Sequence, residues 1–304
     1  MRNIVSNFLN YVNNEQYFEN MKRLDKDKTL IVDGCSMAGQ WNENGNGEGG
    51  DIGLYFSEKW DFNRIGLNFP GKSNCSIFRD ITTFLLNYCG KDTLSYKNLL
   101  LIVSWTGLTR YSYFDREKMG WMSYTSVDSH NKLHPAINLD YHSIIEEYMN
   151  RFLYQISIAN LCENLGVNYI MYNAIEDVFS YKNLNTSESG GPDTPPAWIK
   201  RIKSYLDMKK PDVLINNALS NMDHHPNNIY DDFDNLYEVL STKNFMDIPC
   251  TGYFGYETGK YKWDWDRIKK YTFDDLHLNK LGYQEWAKVL EDFIIDKGMG
   301  DFIK

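Results

Sequence analysis

Nothing in this 304-residue sequence supplies a basic excess, a membrane-length apolar run or a paired-cysteine pattern. The formal net charge is −9, from 41 acidic and 32 basic residues, so nucleic acid is not an expected partner. No apolar run reaches the length that crosses a bilayer, and a membrane is not expected either. The first 28 residues have no signal-peptide apolar core and no small-residue cleavage site. Ile4, Phe8, Tyr11 and Val12 are instead spaced as one face of a short amphipathic helix, giving a helical extension over 1–28. The five cysteines (Cys35, Cys75, Cys89, Cys162 and Cys250) are scattered, odd in number and free of any CxxC pair. That excludes a disulfide framework or zinc knuckle and favours a reducing compartment. A cytoplasmic location is the first expectation, with a virion or export without a classical signal as the alternatives. The six histidines show no ligand spacing, and the adjacent His224 and His225 read as a solvated loop, so no metal site is expected. The abundance of Asn, Lys and Ile fits an AT-rich genome, bacterial or phage.

What is present is aromatic and alternating. Aromatic residues make up 15 % of the chain, and many lie in polar segments rather than apolar runs, which points towards ligands. "TLIVDG" (29–34), "NLLLIVSW" (98–105) and "VNYIMYN" (167–173) read as short buried strands, and "PDVLIN" (211–216) as a further one. Between them, Ile77, Ile81, Phe84, Leu85 and Tyr88 predict a helix from Asn74. Ile144, Tyr148, Phe152, Ile156 and Ala159 predict one over about 140–165, ended by Gly166. A last helix over about 279–296 carries Tyr283, Trp286, Leu290 and Phe293 on one stripe. Strands alternating with helices imply parallel βαβ units and a three-layer α/β/α sandwich. The whole chain, 1–304, reads as a single domain with long insertions at 105–135 and 177–270.

Ligands of such sheets sit beyond the carboxyl ends of the strands. Ser36 follows the first buried strand on a Gly34-Cys35-Ser36 turn, where helix N–H groups would favour a developing oxyanion. A plain helix cap is the bland alternative. In "DDLHLNKLGYQEWA", Asp274 and His277 form a D-x-x-H turn before the last helix. The carboxylate there can accept the imidazole Nδ1–H and leave Nε2 as a base. Asp275 is adjacent, but Asp274 has the spacing. In "NFPGKSN", Gly71 lets its backbone N–H approach a substrate oxygen, while Ser73 or Asn74 could cap the next helix. "SWTGLTRYSYF" (104–114) places polar groups after the second buried strand.

In order and content these blocks resemble the SGNH/GDSL hydrolase superfamily, most closely over "DDLHLNKLGYQEWA". The resemblance implies a flavodoxin-like parallel sheet, Ser36 as nucleophile, His277 and Asp274 as its partners and Gly71 as an oxyanion donor. Two departures stand out. Gly34-Cys35-Ser36 replaces G-D-S, and "SWTGLTR" stands in place of the G-x-N-D block. The donor that the missing asparagine would supply falls to Thr106, with Ser104 or Asn74 as alternates.

The implied chemistry is acyl transfer from an ester through Ser36, with no metal and no organic cofactor. Aromatic and polar side chains in "RYSYFDREKMGWMSY" and "GYFGYETGKYKWDW" suit sugar rings, so an O-acetylated glycan is the expected substrate. Trp105, Arg110, Tyr256 and Trp263 are the candidate contacts; Arg110 would take an anionic group or pair with a nearby acid, and the aromatics could equally pack the loops. A non-catalytic glycan-binding or structural protein of the same fold, or an O-acyltransferase, are the competing readings.

Overall fold

The computed structural model describes residues 4–5, 26–35, 38–39, 52–68, 72–89, 94–107, 110–115, 120–125, 144–174, 229–246, 250, 265–272 and 278–304. Its strands are β1 (Ile4–Val5), β2 (Thr29–Gly34), β3 (Asn63–Gly66), β4 (Leu99–Trp105), β5 (Arg110–Asp115), β6 (Gly120–Thr125), β7 (Asn168–Asn173) and β8 (Phe245–Met246). Its helices are α1 (Ile52–Trp60), α2 (Asn74–Tyr88), α3 (Ile144–Leu165), α4 (Ile229–Ser241), α5 (Trp265–Tyr271) and α6 (Lys280–Ile294).

Six strands form one parallel sheet in the order β1-β3-β2-β4-β7-β8. Every residue of β2 and β4 is buried, which is why both read as largely apolar runs, Leu30–Val32 and Leu99–Val103. Alternate residues feed two cores. Ile31, Leu101, Val103 and Met171 pack with Ile77, Ile81 and Phe84 of α2 and Phe152 and Ala159 of α3. Leu30, Val32, Ile102 and Ile170 pack with Phe56 of α1 and Tyr283, Trp286 and Leu290 of α6. The result is the three-layer α/β/α sandwich expected. Without the edge strand β1, the order is the flavodoxin-like 2-1-3-4-5, whose connections diverge between β2 and β4.

Three sequence expectations change. Ile4 and Val5 form an edge strand paired with Ile65 and Gly66, where a helix was expected, because the sheet offers an unpaired edge there. Arg110–Asp115 and Gly120–Thr125, within the first expected insertion, form an antiparallel hairpin outside the main sheet. "PDVLIN" (211–216) lies outside the described residues, and the outermost strand beyond β7 is β8. No helix among the described residues is long and apolar enough to cross a membrane.

The entry to α6 explains the polar part of the last motif. Asn279 is the N-cap: its Oδ1 accepts the Gly282 N–H at 3.0 Å, and its Nδ2 donates to the Lys270 carbonyl at 3.0 Å. Thr272 and Leu278 form an isolated antiparallel bridge, which fixes both ends of the segment that carries Asp274 and His277. Gly282 packs so tightly that a Cβ would sit 2.1 Å from the Tyr271 carbonyl oxygen. Gly282→Ala is therefore expected to destabilise the fold by about 1–3 kcal/mol in urea unfolding, through backbone displacement.

Candidate active site

At the carboxyl edge of β2 the chain turns sharply. Gly34 has φ +153°, and a Cβ there would meet Ser104 O at 2.6 Å and Ser104 Cβ at 2.7 Å, so only glycine fits beside β4. Ala38 N–H donates to the Cys35 carbonyl at 2.9 Å. Cys35 and Ala38 are fully buried in the core beneath α6. Leu278, the residue after His277, lies in the same buried cluster, as does Cys250. Burial holds the Cys250 thiol well above its ordinary pKa, so it is no nucleophile. All five cysteines are free thiols.

On the opposite sheet face lies a buried ionic cluster. Lys72 Nζ donates to Asp33 Oδ1 at 2.6 Å, to the Leu67 carbonyl at 3.0 Å and to Asp80 Oδ2 at 2.8 Å. All three ammonium hydrogens thus have an acceptor. Arg79 Nε reaches the other Asp80 oxygen at 3.1 Å, and the Gly34 N–H donates to Asp33 Oδ1 at 2.6 Å. Lys72, Asp33 and Asp80 are each at most 3 % exposed. The Asp33 carboxyl is pushed up to about 7, foremost by burial, with Asp80 adding to the rise and Lys72 and the Gly34 amide opposing it.

Next to this cluster, α2 and β4 are tied together. Ser73 is the N-cap of α2, accepting the Ser76 N–H at 3.2 Å. Asn74 spends its side chain on Thr106: its Oδ1 accepts the Thr106 N–H at 2.9 Å, and its Nδ2 donates to the Thr106 carbonyl at 3.2 Å. The Thr106 hydroxyl, 1 % exposed as a residue, has no hydrogen-bond partner. Nor do Ser104 Oγ, Trp105 Nε1, the Tyr172 hydroxyl or Asn173 Nδ2. The Tyr172 phenol is pushed up chiefly by burial; Ser104 is its register partner and near enough to lower it, without a well-formed bond between them. Gln155 Nε2 donates to Asn173 Oδ1 at 2.9 Å and so orients that amide. Buried polar atoms without partners are uncommon, and here they gather at the carboxyl ends of two adjacent strands.

Of the residues expected from sequence, Ser36, Gly71, Asp274, His277, Tyr256 and Trp263 lie outside the described residues, as does the Arg110 side chain. Asn74 and Thr106 are brought together. Trp105 is fully buried in the core beneath α2 and α3, so its ring packs the sheet and is not an open platform for substrate. Asp33, Lys72 and Asp80 were missed. Their signal was readable, since Asp33 interrupts an apolar strand and Asp80 falls between Ile77 and Phe84 on the buried stripe of α2. Charges at two buried positions demand a countercharge.

No protein-family model matches the sequence, and no curated protein matches it. Several solved structures do resemble it, among them the following. Protein YxiM from Bacillus subtilis has 12 % identity and a TM-score of 0.46, over 90 % of this chain and 58 % of that one. TesA has 9 % identity and a TM-score of 0.40, over 88 % of this chain and 98 % of that one. LAE5, an alpha/beta hydrolase enzyme from the metagenome of Lake Arreo in Spain, has 11 % identity and a TM-score of 0.41, over 88 % and 94 %. This chain spans less than two thirds of YxiM's length. In sheet order and layer arrangement the described residues form a flavodoxin-like three-layer α/β/α fold.

Proposed function

We propose that this chain is a serine esterase that removes an acyl group, an acetyl on a carbohydrate, through Ser36, His277 and Asp274. One observation carries the reading. Cys35 and Leu278, which adjoin the serine and the histidine in sequence, belong to the same buried core on one face of the sheet, and Cys35 directly follows β2 where it diverges from β4, the place at which sheets of this order bind ligands. His277 takes the Ser36 proton as Ser36 attacks the ester carbonyl, and Asp274 holds the imidazole tautomer and stabilises its cation. The alcohol leaves with a proton from His277, and water then releases the acyl group. The Ser36 and Gly71 N–H groups receive the oxyanion. The Thr106 hydroxyl is buried and without a partner, as a donor reserved for a substrate oxygen would be, and it stands in for the asparagine. Arg110, Tyr256 and Trp263 belong to aromatic and polar segments suited to sugar rings.

The test is covalent. A fluorophosphonate probe should add to Ser36, read by peptide mass spectrometry, and acetylated sugars should release acetate faster than long-chain acyl esters are cleaved. A chain that takes no probe and cleaves no ester on such a panel is a non-catalytic binding protein.

A further inference from the structure

Lys72 joins three elements through one atom. Its ammonium contacts the last acidic residue of β2, the carbonyl that follows β3 and the first turns of α2. Asp33 lies three residues before Ser36, and Lys72 directly follows Gly71. A fully saturated, desolvated ammonium holds its partners in place, because breaking any one contact leaves a buried donor and a buried acceptor unpaired. We infer that Lys72 is a positioning residue for the esterase: clamped by Asp33 and Asp80, it fixes the strand end that leads to the nucleophile against the loop that carries the oxyanion glycine. The inference rests on the esterase reading above.

Asn74 and Thr106 make the parallel tie on the far side of β2, from the start of α2 to the end of β4. The two ties differ in kind. The amide tie is neutral and independent of pH, whereas the Lys72 clamp contains a carboxyl that titrates near 7. The groups that face this carboxyl are Lys72 from the loop before α2, Asp80 from α2 with Arg79 behind it, and the Gly34 amide on its own strand. Protonating Asp33 leaves its volume and its acceptor to Lys72 but removes the charge that draws the ammonium towards β2.

The test compares the full chain with Asp33→Asn on p-nitrophenyl acetate at two pH values, with circular dichroism confirming that both are folded. At about pH 8 the variant should lose about tenfold in kcat with KM within about twofold, as expected for a misplaced but intact site. At about pH 6, where wild-type Asp33 is itself mostly protonated, the two kcat values should converge. Asp80→Asn should lower kcat at both pH values. Equal kcat for wild type and Asp33→Asn at pH 8 overturns the positioning role while the esterase stands. A wild type that neither cleaves the ester nor takes the fluorophosphonate overturns both.

Discussion

Ser36→Ala is expected to lower kcat for p-nitrophenyl acetate by a factor on the order of 10⁴–10⁶, with KM little changed. The size follows from what the serine does. Without its Oγ no acyl-enzyme forms, and the residual rate is what oxyanion donors and binding can give to direct attack by water. His277→Ala should cost about as much, because an unactivated hydroxyl is a poor nucleophile near neutral pH. The double variant should be no worse than either single one, since the pair acts as a unit. Asp274→Ala should retain roughly ten- to a hundredfold more activity than the other two, because it orients and stabilises rather than reacts. Thr106→Val belongs to the same series. It keeps the shape and removes the hydroxyl, and as the third oxyanion donor Thr106 should cost about 10²–10³ in kcat when changed this way. Steady-state kinetics on the purified variants reads the whole series. An active Ser36→Ala would remove the nucleophile and, with it, the reading.

The parts of the fold legible in the sequence are those buried on both sides. β2, β4 and β7 are covered by helices on each face, so their runs are largely apolar, with Asp33 the charged exception in β2. α6 was legible for a different reason: Tyr283, Trp286 and Leu290 recur on one helical stripe. β3 was not legible, because its four residues begin with Asn63 and Arg64. Asn63 is tolerated there because its Nδ2 donates to the Lys26 carbonyl at 2.6 Å, a contact across 37 positions that no local pattern announces. β8 is two residues long and exists only because β7 offers an edge. At the site, position left Ser73 and Asn74 both open as the cap of α2, and the structure takes Ser73. The commitment of Asn74 to Thr106 was not readable, because it depends on α2 starting beside the end of β4. Trp105 shows the opposite error: an aromatic beside polar residues read as a substrate contact, whereas strand alternation turns it into the core.

Lys72→Met should have the largest effect on stability, about 3–5 kcal/mol at pH above 8, because it leaves two buried carboxylates with no ammonium between them. The pH dependence gives the mechanism away. In the wild type the Asp33 carboxyl is raised from 3.8 to about 7 on folding. Below about 4 it is protonated in both the folded and unfolded chains and contributes no pH dependence. Between about 4 and 7 the folded chain holds a proton that the unfolded chain has lost, so stability falls as pH rises through that window. Above about 7 both states are ionised, and the penalty is complete. Removing Lys72 takes away the group that opposes this rise, so the folded Asp33 holds its proton to higher pH and the fall continues beyond 7. The gap between variant and wild type should therefore be small near pH 5.5, where both carry a neutral Asp33, and open fully above pH 8. Urea unfolding midpoints at the two pH values measure it. Adding Asp33→Asn to Lys72→Met should close most of the gap at high pH, since Asp80 then keeps Arg79 as its partner and no second carboxylate faces it. A gap that is the same at both pH values would mean that lost packing of the lysine stem, and not charge, is what the substitution removes.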